Sequence, residues 1–372
     1  MPNKYFCIRR LHYSLVKIHF CKVNKGVCLC IFLRVHVFGA CLGTERARGL
    51  AQTLLNVPYG ESEGEKLDVY VPTTTSLDVP LVIYLHGGYW QFLSKEESGF
   101  MAVPLVHKGV VVVAVGYDIA PKGNMDLMVS QVRRSVVSVI QQYSHISGLY
   151  LCGHSAGAHL AAMILSTDWS QYSVTPQIKG AFLVSGIYDL LPILSTYVNE
   201  PLKMTEEVAL RNSPSQLVPQ LKLSSSNCDI VVAVAQKDSP EFRKQSEDYY
   251  KTLESTEGLK VTLEDVPNTD HFNIIEQLVD GDYHLTQVGT PIPTSFSLFL
   301  LIYPFLFLLL LLLAPPYLLP PYLLPPYLLP PYLLPPYLLP PYLLPPYLLP
   351  PYLLPPYLLP PYLLPPYLLP PY

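Results

Sequence analysis

The middle of the chain alternates short apolar runs with longer amphipathic ones. KLDVYVP, which begins at Lys66, alternates apolar and polar residues, as a half-buried strand does. Later runs are almost continuously apolar and end in loops, which is typical of strands buried on both faces. They are PLVIYLHGG, GVVVVAVGYD, GLYLCGHS, KGAFLVSGIYD and CDIVVAVAQKD, and KVTLEDV is a further predicted strand.

The segments between these runs have helical periodicity. MDLMVSQVRRSVVSVIQQY places one set of apolar side chains on a single side of a helix: Met128, Val132, Val136, Val139 and Ile140. SPEFRKQSEDYYKTLE opens with Ser239 as a candidate N-cap and Pro240 at the first helical position. The alternation predicts an α/β fold with a mostly parallel central sheet and helices on both faces. Active sites of such sheets lie at the carboxyl ends of the strands.

A serine lies at one of these predicted strand ends. Ser155 is the centre of Gly153-His154-Ser155-Ala156-Gly157, a G-x-S-x-G between a buried strand and a helix-like run. In a nucleophile elbow the two glycines allow a sharp strand-to-helix turn that holds the hydroxyl above the sheet. The N-terminus of the following helix favours developing negative charge there. The motif alone is a weak signal, but its context predicts that Ser155 is a nucleophile.

A second loop fits the same chemistry. The run His86-Gly87-Gly88-Tyr89-Trp90 ends an earlier strand. In hydrolases with a nucleophile elbow, an HGGG-type loop at this position provides backbone N–H groups that bind an oxyanion. We predict that the N–H groups of Gly87 or Gly88 and of Ala156 form this hole. The His86 side chain is interpreted as a support of the loop.

The base and the acid should follow the nucleophile in the chain. Only His271 and His284 lie far enough downstream, and His271 directly follows the predicted strand KVTLEDV. His284 lies in a polar stretch beyond the next helix and is expected at the surface. His271 is therefore the predicted general base.

The acid has several candidates. Asp238 ends the run CDIVVAVAQKD at the carboxyl end of its strand, and it would hold the imidazole tautomer. Asp270 and Asp265 are rivals, but close sequence neighbours of a base rarely reach its far ring nitrogen. Asp229 is at the wrong end of its strand. We predict Asp238.

Composition excludes several classes of function. The formal net charge is −4 over 372 residues, which gives no global attraction to nucleic acid or to an anionic membrane. Phosphate-binding loops and the H-E-x-x-H motif are absent from the sequence, so no cofactor and no metal are predicted. Cys152 and Cys228 lie in apolar strands and are interpreted as small core residues.

Both ends of the chain have unusual composition. Residues 1–43 form a cysteine-rich segment with no CxxC pair. Residues 288–314 end in the apolar run Phe296–Ala314, which is long enough to count as a membrane-span candidate. From Pro315 to Tyr372 the unit Pro-Pro-Tyr-Leu-Leu repeats, which favours extended polyproline II and cannot build a core. The predicted catalytic domain is therefore 44–287.

Several motifs together resemble the kynurenine formamidase (arylformamidase) family of α/β-hydrolases. They are HGGYWQ, GHSAGAHLAAM, GYDIAPKG, SGIYDL, RNSP, DSPEF and DHFNIIE. The family fingerprint HGGxW is His86 to Trp90, with Tyr89 in place of the third glycine of lipase-type loops. The resemblance covers about residues 43–287. It implies Ser155 as nucleophile, Asp238 as acid and His271 as base.

The resemblance also carries expectations about biology. It implies hydrolysis of N-formyl-L-kynurenine to L-kynurenine and formate in tryptophan breakdown, and a cytosolic protein that is also nuclear in some members. A homodimer is one open expectation for the assembly. After Gln287 the family continues into a final helix packed on the sheet, whereas this chain continues with VGTPIPTSF. We expect 288–372 to be an extension that takes no part in the chemistry, so a membrane partner is not expected despite 296–314.

Two alternatives stay open at this point. A carboxylesterase could use the same triad on a different acyl group. A non-catalytic binding protein could keep the fold, tethered to a membrane by its tail, but such proteins usually lack a triad member or an oxyanion glycine, and neither is missing here.

Overall fold

The computed structural model describes residues 27–73, 79–143 and 145–288. The apolar run 296–314, the Pro-Pro-Tyr-Leu-Leu repeat and the first cysteines of the N-terminal segment lie outside the described residues. In the part of the chain that is described, no helix is both long and apolar enough to cross a membrane.

Eight strands form one sheet in the order β1-β2-β4-β3-β5-β6-β7-β8. Their bounds are β1 Gln52–Pro58, β2 Lys66–Val71, β3 Val79–Leu85, β4 Val111–Val115, β5 Ile146–His154, β6 Ile178–Val184, β7 Asp229–Ala235 and β8 Lys260–Val266. The pairs β1–β2 and β2–β4 are antiparallel, and every pair from β4 to β8 is parallel. The predicted mostly parallel sheet is confirmed, and β1 is an edge strand that the sequence patterns did not indicate.

The helices lie mostly in the connections between strands. They are α1 Val27–Leu50, α2 Ala102–His107, α3 Met125–Gln142, α4 Ala156–Leu165, α5 Asn199–Leu202, α6 Glu206–Arg211, α7 Val218–Ser225, α8 Pro240–Glu254, α9 Asn273–Glu276 and α10 His284–Val288. Short 3-10 helices cover Lys95–Glu97, Trp169–Gln171, Leu191–Ser195, Pro214–Gln216 and Gln277–Val279. The Ser239 side chain accepts from the Phe242 N–H at the start of α8, so the predicted N-cap is confirmed.

The two faces of the sheet bury separate apolar clusters. Along β3, Leu81 and Ile83 pack into the cluster that holds α3, α4 and α8. Val82 and Tyr84, which alternate with them, pack with α1, α2 and α9 on the other face. Period-two alternation thus sends neighbouring side chains into opposite layers, and both layers are filled, as continuous apolar strands require.

The N-terminal helix crosses the predicted domain boundary at residue 44. Thr44 is fully buried, and its Oγ1 accepts a 2.9 Å hydrogen bond from the Gly99 N–H. A Cβ at Gly43 would lie 2.7 Å from Cβ of Phe100, so α1 packs closely on the domain at this turn. The cysteine interpretation is confirmed for Cys152 and Cys228, which are both buried in the core.

Candidate active site

The predicted site residues lie in loops at the carboxyl ends of four parallel strands. Ser155 follows β5, the loop that begins at His86 follows β3, Asp238 follows β7 and His271 follows β8. Because parallel strands end at one edge of the sheet, the topology collects these side chains on one side of the molecule.

Ser155 occupies a strained turn between β5 and α4. Its backbone has φ 56° and ψ −120°, a region that non-glycine residues rarely adopt. Such a conformation costs about 1–3 kcal/mol and persists only where the surroundings enforce it. Here the Ser155 N–H donates to the Val184 carbonyl at 2.9 Å, and a Cβ at Gly157 would lie 2.0 Å from the Leu85 carbonyl oxygen. Close packing of α4 on the ends of the strands thus holds the strained turn that the sequence motif predicts.

The loop after β3 lies directly against this turn. A Cβ at Gly87 would lie 3.1 Å from Cβ of Ser155 and 2.8 Å from the His154 carbonyl oxygen, so only glycine lets the loop approach this closely. Ala156, as the first residue of α4, has an N–H that no carbonyl within the helix can accept. Its amide and those of the glycine loop are therefore suited to bind a developing oxyanion.

The aromatic residues of this loop have separate surroundings. Trp90 is fully buried, and its Nε1 donates a 3.1 Å hydrogen bond to Nδ1 of His159 on α4. Tyr89 is half-buried, with its ring centroid 6.2 Å from that of Phe242. Both Tyr89 and Trp90 have left-handed backbone conformations, with φ 50° and 58°. Of these two side chains, only that of Tyr89 has exposed surface that a ligand could contact.

His86 is buried under the loop. Its ring stacks on Tyr117 with centroids 4.3 Å apart, and the Tyr117 hydroxyl donates to the His86 carbonyl at 2.8 Å. Burial lowers the pKa of His86 to about 4, so the ring is neutral at pH 7. These contacts are those of a residue that supports the loop.

The structure brings Asp238 and His271 together. Their Oδ1 and Nδ1 atoms lie 2.8 Å apart, with the Asp238 side chain 1% exposed and the His271 side chain 18% exposed. Because a carboxylate can only accept, Nδ1 of His271 carries a proton, and Nε2 is the ring nitrogen left to exchange a proton with a neighbouring group. Burial tends to raise the pKa of Asp238, but the hydrogen bond from His271 and the charge of that ring outweigh it and hold the pKa below its usual value. Asp238 is therefore ionised at neutral pH.

The rival acids make other contacts. Asp270 Oδ1 accepts from the backbone N–H groups of Phe272 and Asn273 at 3.0 and 2.9 Å. Asp265 forms a surface ion pair with Arg243 at 2.8 Å. The alternative base also lies elsewhere, since His284 is an exposed residue bonded to Glu264.

Sequence reasoning assigned no site role to three further residues. His154 donates to the His271 carbonyl at 2.7 Å, His159 accepts from Trp90, and the Phe242 ring lies 4.1 Å from that of His271. Position gave a partial signal for the first two, since His154 adjoins Ser155 and His159 is one turn further along α4. Phe242 had a similar signal, since it ends the DSPEF motif that begins at Asp238. Across the residues that the structure describes, no group of three His, Cys, Asp or Glu side chains is arranged to hold a metal ion.

Comparison with known proteins identifies the family. A kynurenine formamidase of Salmo salar is 95% identical over 256 residues, which cover 69% of this chain and 87% of the relative. The chain belongs to the kynurenine formamidase family. A kynurenine formamidase of Danio rerio is 79% identical over the same share of each chain. The resemblance noted in the sequence is thereby confirmed.

Wider comparisons agree on the fold of this kynurenine formamidase family member. The family model described as BD-FAE matches residues 67–240, which run from β2 to the start of α8. A solved structure from Silicibacter sp. tm1040 has a TM-score of 0.60 and is 26% identical, covering 72% of this chain and 95% of that one. The α/β-hydrolase fold and the assignment as a hydrolase are confirmed.

Proposed function

We propose that this member of the family hydrolyses N-formyl-L-kynurenine to L-kynurenine and formate, with Ser155, His271 and Asp238 as its catalytic residues. The observation that carries the proposal is the 2.8 Å hydrogen bond from His271 to Asp238, at the same sheet edge as the strained Ser155 turn. The names of the two fish relatives support formyl-kynurenine as the substrate.

The first half of the reaction forms a covalent intermediate. Ser155 Oγ attacks the formyl carbon while Nε2 of His271 takes the hydroxyl proton. Asp238 keeps the proton on Nδ1 and stabilises the imidazolium that forms. The formyl oxygen becomes negative and is held by N–H groups of Gly87 or Gly88 and of Ala156, a contribution worth about 3–4 kcal/mol per donor.

The second half releases both products. The tetrahedral intermediate collapses as His271 gives its proton to the aniline nitrogen, which breaks the C–N bond and frees L-kynurenine. Water then attacks the formyl ester, with His271 as base and then as acid, and formate leaves Ser155. Each proton taken by His271 is returned within its half, so the enzyme ends unchanged and needs no cofactor.

The surroundings of His271 suit an aryl leaving group. The leaving nitrogen must lie within hydrogen-bond reach of Nε2, so the aryl ring bonded to it lies near the imidazole. Phe242, half-buried and 4.1 Å from that imidazole, and Tyr89, 6.2 Å from Phe242, provide aromatic surface there. Offset or tilted aromatic contacts of this kind contribute about 0.5–1.5 kcal/mol each.

A comparison of acyl groups tests the proposal against a carboxylesterase. A formyl carbon carries only hydrogen, so a site built for it needs little space on the acyl side. We expect kcat/KM to be higher for N-formyl-L-kynurenine than for aryl butyrates and longer aryl esters. Ser155→Ala is the matched control, since it should abolish turnover of every substrate. Higher kcat/KM for the long esters would contradict the formamidase proposal and favour a carboxylesterase.

The location in the cell and a homodimeric assembly stay predictions.

A further inference from the structure

His154, the residue before Ser155, makes a long-range contact to the loop of the base. Its Nε2 lies 2.7 Å from the backbone carbonyl oxygen of His271, across 117 residues of sequence. A carbonyl can only accept, so Nε2 carries the proton and donates it. The His154 residue is 6% exposed, which shields this hydrogen bond from competing water.

The carbonyl that receives this bond is not used by the helix that follows. In α9, the Ile275 N–H donates to the Phe272 carbonyl at 3.2 Å, and the Ile274 N–H donates to that of Asp270 at 3.2 Å. The carbonyl of His271, between them, is the acceptor of His154 instead. The backbone of the proposed base is therefore fixed by a side chain of the nucleophile turn.

The same ring also adjoins the oxyanion loop. A Cβ at Gly87 would lie 3.3 Å from Nδ1 of His154, and the His154 and His271 ring centroids are 4.8 Å apart. His154 thus touches the base and the glycine loop while it is bonded covalently to Ser155. Three parts of the proposed machinery meet at one side chain.

We propose that His154 is a positioning residue. By holding the His271 carbonyl, it sets the distance between the His271 imidazole and Ser155. The inference rests on the proposed catalytic function of Ser155 and His271. Asp238 fixes the rotation of the imidazole, and His154 fixes the backbone from which that imidazole extends. A proton transfer between Ser155 and His271 needs both, because a displacement of about 1 Å can cost on the order of 10²-fold in rate.

The charge of His154 agrees with this role. The pKa of His154 is lowered to about 3. Burial is the largest cause, and the nearby charge of His271 is the second. The ring is therefore neutral whenever His271 takes up a proton in the reaction. A second positive charge 4.8 Å away would oppose that step, and a neutral donor does not.

Two substitutions in the full chain separate positioning from packing. His154→Leu removes the donor, and His154→Gln keeps an N–H group near the place of Nε2. We expect kcat for N-formyl-L-kynurenine to fall on the order of 10- to 100-fold in His154→Leu, with KM changed less than about twofold, and to recover most of the loss in His154→Gln. Leu253→Ala, a core change at the far end of α8, is the control for lost stability and should leave kcat unchanged.

A second readout does not depend on the substrate. The rate at which a fluorophosphonate labels Ser155 reports activation of the hydroxyl by His271, and it should follow the same order of variants. If the wild type is labelled rapidly but leaves formyl-kynurenine intact, the proposed function fails while the positioning role is still measured. A folded His154→Leu protein labelled within twofold of the wild-type rate, or a His154→Gln protein as slow as His154→Leu, would overturn the inference. An unlabelled wild type would overturn both proposals.

Discussion

The indole nitrogen of Trp90 donates a 3.1 Å hydrogen bond to Nδ1 of His159, and both side chains are fully buried. His159 donates in turn from Nε2 to the Asn212 carbonyl at 2.8 Å. This chain of bonds joins the oxyanion loop to α4 and to the segment after α6. It helps to hold Trp90 in its left-handed backbone conformation, with φ 58°.

The two tryptophans of the chain allow a matched test of this bond. Trp169 is also buried, but its Nε1 has no hydrogen-bond partner among the described residues. Both Trp→Phe changes remove the same atoms. Only Trp90→Phe breaks a hydrogen bond, which leaves the buried Nδ1 of His159 without its donor. We expect Trp90→Phe to lower the free energy of unfolding by about 1–3 kcal/mol more than Trp169→Phe, measured by urea denaturation. Trp90→Phe should also lower kcat, and equal effects of the two changes would contradict this role.

Three buried histidines predict how stability depends on pH. Burial lowers the pKa of His86 and His159 to about 4 and that of His154 to about 3, from an ordinary value of 6.5. Unfolded chains bind protons at these histidines below about pH 6.5, whereas the folded protein does not until about pH 4. The contribution of these histidines to the free energy of unfolding is therefore fully present above pH 6.5. It is lost as the pH falls towards 4, at up to about 1.4 kcal/mol per histidine and pH unit.

The check is urea unfolding at several pH values between 7 and 5. His159→Phe should reduce the slope of stability against pH by about one proton. A wild-type free energy of unfolding that stays constant over this range would contradict the neutral, buried state of these rings.

A buried ion pair anchors the segment that follows the oxyanion loop. Lys95 Nζ lies 2.7 Å from Asp68 Oδ1 on β2 and 2.8 Å from Asn56 Oδ1. Lys95→Met would leave the Asp68 carboxylate buried without its main partner, at a cost of about 3–5 kcal/mol in the free energy of unfolding. The double variant Lys95→Met/Asp68→Asn should be more stable than Lys95→Met, because it has no unpaired buried charge at position 68. Additive losses in a double-mutant cycle would show that the pair does not act together.

The buried strands were predictable because their apolar runs are continuous and end in loops. The elbow was predictable because its glycines and serine are neighbours in sequence. β1 was not, because an exposed edge strand has no core pattern: most of its side chains, such as Leu54 and Leu55, face solvent.

Contacts between distant segments could not be predicted from local patterns. The Trp90–His159 bond spans 69 residues and the His154–His271 bond spans 117. A histidine on an apolar helix or strand has the same local signature whether it fills space or holds a loop. Which of these it does depends on the partner that tertiary packing brings to each ring nitrogen.

The choice of acid makes a separate kinetic prediction. Asp238→Asn should lower kcat about 10⁴-fold, because the amide favours the wrong tautomer of His271. Asp270→Asn should change kcat by less than about tenfold, since Asn keeps an oxygen that can cap the Phe272 and Asn273 N–H groups. Both rates are measured with N-formyl-L-kynurenine after circular dichroism has verified the fold. An inactive Asp270→Asn beside a nearly wild-type Asp238→Asn would move the acid to the loop of the base.

The most direct test of the account is the rate of formyl-kynurenine hydrolysis by Ser155→Ala, His271→Ala and the double variant. When two residues act in the same catalytic step, removing either one also removes the contribution of the other, so the two losses in rate should not add. We predict a fall in kcat on the order of 10⁵- to 10⁶-fold for each single change and little more for both. A folded Ser155→Ala protein that keeps wild-type kcat, or a double variant whose loss is the product of two large single losses, would contradict the proposal that Ser155 and His271 act together in this reaction.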